Sequence, residues 1–220
     1  MNKWKLLGAA AGLVTVLSVT PASALTTTID FGNFAGPAEQ SSTTGYSYSL
    51  LSGVTLDVTA AVTDNSRNAV PSTSTTAVTR TKRVLTQPNA GGLGELNATG
   101  DTSHDIDGAI LRNDLLAFNF SHAVKLVSVR FARVDGNDVF DFWKGGVYNF
   151  TASTPLFPLI YTFAPNTIGK MFGFGTISDV SDYKIRSITV SAVPLPPSAL
   201  LFLTGLLGVG LLGRRRSKSI

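Results

Sequence analysis

Asp135-Gly136-Asn137-Asp138-Val139-Phe140-Asp141 carries four oxygen-bearing side chains, Asp135, Asn137, Asp138 and Asp141, in seven residues. Ca²⁺ takes about six to eight oxygen ligands, partly from backbone carbonyls, and acidic turns supply them. The spacing is not that of an EF-hand, because no glutamate closes it and no glycine stands at its sixth position. The same residues suit a β-turn in which Asp and Asn side chains accept backbone N–H groups. Both readings remain open at this level.

His104, Asp105 and Asp107 set one imidazole beside two carboxylates, but no second His or Cys stands at metal-ligand spacing. His122 falls in an expected turn, and both histidines are expected in solvent. Tyr46, Tyr48, Trp143, Tyr148 and Tyr161 have rings that stack on sugars, although strand positions also suit them to core packing. Trp143, beside Lys144-Gly145-Gly146, is the best candidate for an exposed ring. An acidic loop with Trp143 would make a calcium-assisted, lectin-like carbohydrate-binding module. The usual signatures of serine hydrolases, zinc proteases and phosphate-binding loops do not occur. A glycoside hydrolase would need a carboxylate pair assembled from distant residues.

The chain divides into residues 1–24, 25–192 and 193–220. The first segment has Lys3 and Lys5, an apolar stretch, then Ala22-Ser23-Ala24 before Leu25. That is the pattern of a secretory signal helix, cut by signal peptidase after Ala24. Two lysines lie in this segment, and Arg214, Arg215, Arg216 and Lys218 lie near the other end. The body between them holds twelve basic and fourteen acidic side chains, so it lacks the basic stripe that nucleic-acid binding requires. Cysteine is absent, so burial rather than disulfides must hold the body together.

Val193-Pro194-Leu195-Pro196-Pro197 is kept extended by its prolines. Residues 199–213 follow without a charge, then the three arginines. As a helix this run spans roughly 22 Å, somewhat short of a hydrocarbon core of about 30 Å, so a C-terminal transmembrane helix needs local thinning or snorkelling arginines. The arginines belong on the cytoplasmic side, which puts the body across the membrane.

The order of proline motif, short apolar run and arginine cluster resembles the VPLPA-type sorting signal of the PEP-CTERM family. The resemblance covers the last twenty-eight residues, with Pro197 where that variant usually has alanine. It implies recognition by an exosortase, a membrane-embedded protease or transpeptidase of Gram-negative bacteria. It also implies an inner-membrane intermediate followed by release to the cell surface or extracellular matrix, where extracellular polysaccharide is a candidate partner. It assigns no activity to the body, which is expected to be non-enzymatic.

Strict alternation in Val54-Thr55-Leu56-Asp57-Val58-Thr59-Ala60 predicts a half-buried strand. Further strands are expected at 26–31, 77–85, 115–120, 124–134, 139–143, 147–151, 159–163, 172–177 and 183–193. Val127, Val129 and Phe131 are expected to face inward. Residues 64–76 and 91–109 read as loops, and Lys144-Gly145-Gly146 as a tight hairpin. Many strands between turns, with no long amphipathic helix, predict an all-β antiparallel sandwich of jelly-roll type.

Overall fold

The computed structural model describes residues 24–33, 39–50, 53–70, 77–81, 91–96, 104–108 and 113–193. Ala22 and the rest of the signal segment lie outside these residues. So do Pro194, Leu195, Pro196, Pro197, the apolar run and Arg214, Arg215 and Arg216. Among the described residues there is no α-helix, and none is long and apolar enough to cross a membrane.

The described chain is all-β, and every strand pairing within it is antiparallel. The strands are β1 (Thr26–Asp30), β2 (Glu39–Ser42), β3 (Tyr46–Ser49), β4 (Thr55–Thr63), β5 (Ala69–Val70), β6 (Ala77–Thr81) and β7 (Gly92–Leu96). They continue with β8 (Ile106–Asp107), β9 (Asn113–Ala132), β10 (Val139–Lys144), β11 (Val147–Ser153), β12 (Ile160–Thr162), β13 (Ile168–Gly175) and β14 (Asp182–Ala192). β4 keeps the expected period of two: Leu56, Val58 and Ala60 are buried while Thr55 and Asp57 are exposed.

β9 organises the rest. Its first half lies between β4 and β13, with Phe118 opposite both Val58 and Phe172. Its second half lies between β14 and β12, with Val129 opposite Ile188 and Tyr161. Two strands with a turn at His122 are expected here, but one strand of 20 residues runs through, and Ser121, His122 and Ala123 are an exposed break within it. Val127 also departs from expectation. Leu126 pairs with Val190 and Ser128 with Thr189, so Val127 is the extra residue of a β-bulge. The bulge moves the inward face from Val124 and Leu126 to Val129 and Phe131, leaving Val127 only half-buried.

The segment 91–109 is not all loop, because β7 and β8 form inside it. Glycine is a poor strand former, which hides β7 in the sequence. The glycines are needed for close approach: a Cβ on Gly92 would meet the Ile185 carbonyl, and one on Gly94 the His104 carbonyl. The expected hairpin forms, with Lys144 opposite Val147 and Gly145 and Gly146 at φ of 62° and 81°. Two positive φ values make it a type I′ turn, which glycine adopts without steric cost.

Aromatic rings fill the core. Phe140 lies 5.0 Å from both Phe131 and Tyr161, and Phe142 lies 4.8 Å from Phe163. Each fully buried Phe contributes about 1.5–3 kcal/mol, which is how a chain without disulfides holds this network.

Candidate functional site

The turn after β9 and the start of β14 bring three carboxylates together. One oxygen each from Asp135, Asp138 and Asp182 lies within 4.8 Å of the others. Asp138 is buried, and both its oxygens accept backbone N–H groups: Oδ1 from Asp182 at 2.9 Å and Oδ2 from Asp135 at 2.6 Å. The Asn137 N–H in turn donates to Asp135 Oδ1 at 2.9 Å. Asp138 therefore ties the turn to β14. Burial raises the Asp138 pKa, and the N–H donors only partly offset this. Burial and then the Asp105 charge raise that of Asp182, with Arg133 opposing. Such a group of carboxylates gains by taking up a proton or a cation.

Asp141 does not join them. It lies on β10, and its Oδ1 receives Arg67 Nε at 3.2 Å and the Thr151 hydroxyl. Strand alternation explains the separation, since Asp141 sits three residues beyond Asp138 and points to the other face from Phe140 and Phe142.

Trp143 requires a correction. Its side chain is 1 % exposed, so it offers no stacking platform. Residues 64–68 fold over this face of β10, and Trp143 Nε1 donates to the Arg67 carbonyl at 3.0 Å. Asp64 shapes that turn by accepting N–H groups from Ser66 and Asn68, and these bonds, that of Asn68 foremost, lower its pKa. Arg67, at φ 64°, then lays its guanidinium 4.8 Å from the centre of the Tyr148 ring.

Beside the carboxylates lies an ion network centred on the buried Asp105 and Lys184. Asp105 pairs with Lys184 at 3.0 Å and with Arg133 at 3.2 Å, and Lys184 also donates to the His104 carbonyl. His104 Nδ1 contacts Glu39 rather than standing alone in solvent. Burial lowers the Lys184 pKa, and Asp105 partly restores it. The Asp107 N–H donates to Asp114 Oδ2 at 3.2 Å, so the cluster expected from His104, Asp105 and Asp107 is divided among different partners.

Sequence spacing missed Asp182, which lies 44 residues from Asp138 and meets it only through pairing. The available signal was a pair of aspartates, Asp179 and Asp182, around the turn before the last strand. Leu25 and Val193 frame the body at its opposite end, where the Ala192 N–H donates to the Leu25 carbonyl at 3.0 Å. Comparison with family models, curated proteins and solved structures gives no match.

Proposed function

We propose that the chain is an exported surface or extracellular-matrix protein of a Gram-negative bacterium. In this reading signal peptidase removes residues 1–24, and residues 193–220 are a sorting tail handled by an exosortase-type enzyme. The body is a non-enzymatic β-sandwich of jelly-roll type. Contacts such as Phe131–Phe140 and Phe31–Phe118 support two facing layers, because each links a strand group carried by one half of β9 to that carried by the other.

The observation that carries the reading is the Leu25–Ala192 hydrogen bond. It sets Leu25 beside Ala192, which supports a body that hangs from one pole by whichever flanking segment tethers it. N-terminal sequencing and C-terminal mass spectrometry of the exported protein test this. The expected product begins at Leu25 and lacks residues 214–220. An intact Met1 in that fraction would sink the signal reading, and full-length C-termini held in the inner membrane would sink the sorting reading.

The convergence of Asp135, Asp138 and Asp182 favours a second reading, calcium binding at the far pole, with extracellular polysaccharide as the partner. With Trp143 buried, that reading rests on the carboxylates alone. A ligand held only by the folded state raises stability by about 2.7 kcal/mol at a hundredfold excess over Kd. Superimposed melting curves in calcium and in chelator would reduce the motif to a turn.

A further inference from the structure

The pole from which the tail leaves has its own chemistry. Leu25, Thr27, Leu50, Val54, Val124, Val190 and Ala192 line an open apolar pocket there. Its neighbours are fixed by pairing: Ala192 is opposite Val124, Val124 is opposite Gly169, and Lys125 is opposite Ile168. Leu25, Ile168 and Val193 are exposed large hydrophobic side chains. The described segments at this pole, 24–27, 50, 53–54, 121–125, 164–170 and 190–193, contain no Asp or Glu, but include His122, Lys125 and Lys170. Asp182 starts the same strand that Ala192 ends, so the carboxylate cluster lies roughly 33 Å away along β14. Exposed apolar side chains occur at both ends, with Leu156, Phe157 and Val180 near the carboxylates, so charge is what separates them: lysines and no described carboxylate here, the carboxylate cluster there.

We propose that this end face rests on a lipid surface, with its apolar side chains in the bilayer interface and its lysines against anionic headgroups. The inference rests on residues 199–213 being membrane-spanning. Only residues 194–198 separate Val193 from that run, and the six steps from Val193 to Ala199 reach at most roughly 21 Å. A face held so close to lipid, with an apolar pocket and no carboxylate among its described residues, is matched to it: apolar area and Lys–anionic lipid attraction add at the interface. In this pose the acidic cluster lies several Debye lengths from the lipid and is screened from it, whereas turning that end towards the membrane would bring it into repulsion, so charge favours this orientation.

The test uses the full chain, which has no native cysteine. Ile168→Cys, Val193→Cys and Asn137→Cys, all at exposed positions, carry an environment-sensitive dye. The proteins are reconstituted into vesicles of phosphatidylethanolamine doped with phosphatidylglycerol. Flotation first reports whether the chain is anchored. The expected result is several-fold weaker iodide quenching at Ile168 and Val193 than at Asn137, with quenching of both by headgroup nitroxide lipids. Lys125→Glu with Lys170→Glu should restore iodide access at Ile168 while flotation persists. Equal iodide access at all three positions in floating vesicles overturns the inference and leaves the anchor intact. Shielding from iodide without nitroxide quenching overturns it in favour of a second copy of the chain. Failure to float removes the membrane-span reading and the inference with it.

Discussion

Lys184 and Asp105 form an ion pair at 3.0 Å in which neither side chain is more than 2 % exposed. Lys184 belongs to the last strand and Asp105 to the segment leading into β8, so the pair joins parts of the chain far apart in sequence. Removing one partner of a buried pair leaves the other charge desolvated and unpaid by Coulomb attraction. Asp105→Asn is therefore expected to lose about 3–5 kcal/mol in urea unfolding. Asp57→Asn, on the exposed face of β4, is the control and should stay within about 0.5 kcal/mol.

Asp138 and Asp182 predict how stability depends on acid. Both pKa values are raised above the ordinary 3.8, so the native state binds protons more tightly than the unfolded chain does. Their stabilising contribution is complete below pH 3.8 and is lost as pH rises through the raised values. Asp182→Asn removes one of the repelling charges. Without divalent metal the variant should gain on the wild type as pH climbs from 3.8 towards neutrality. The gain should reach at most about 0.5 kcal/mol, since the Asp182 side chain is exposed and screened. A melting series across that range checks it, and a gap that narrows with rising pH would contradict the sign.

In a chain expressed without residues 1–24, Trp143 is the sole tryptophan. Its burial and its bond to the Arg67 carbonyl predict a blue-shifted emission that iodide quenches weakly. Soluble glycans should leave that spectrum unchanged. Trp143→Phe leaves the Arg67 carbonyl without its donor and should cost about 1–3 kcal/mol in thermal unfolding. Red emission, strongly quenched by iodide and shifted by sugar, would restore the ring as a binding platform.

The strands that sequence reveals are those whose side chains alternate against one core, such as β4, or whose turn demands glycine, such as Gly145-Gly146. What it hides is set by distant partners. Val127 bulges because of its register against β14, and no local pattern carries that information. Trp143 stands beside a turn yet is buried, because residues 64–68 cover it from far along the chain. Two of the three converging carboxylates, Asp135 and Asp138, are legible as a cluster. Asp182 enters through strand pairing, and Asp141 leaves through strand alternation.

Gly94 offers the sharpest test of the hidden strand. A Cβ there would fall on the His104 carbonyl and crowd the Asp105 backbone, neither of which is a flexible side-chain end. The next residue, Glu95, donates its N–H to the Asp105 carbonyl at 3.1 Å, and its Oε2 accepts the Leu115 N–H at 2.9 Å. β7 cannot shift away from His104 without straining both bonds and the cage around Lys184. Gly94→Ala should therefore cost about 1–3 kcal/mol by overpacking. Gly136→Ala meets open space at a φ that alanine tolerates, so it should be neutral, or stabilising by up to about 1 kcal/mol through the unfolded chain. Because Gly94 and Asp105 act on the same contact, combining Gly94→Ala with Asp105→Asn should cost less than the two losses added together. Urea unfolding of the wild type and the four variants decides it. Equal stabilities for the two alanine variants, or strict additivity in the double variant, would mean that β7 does not press against residues 104–105.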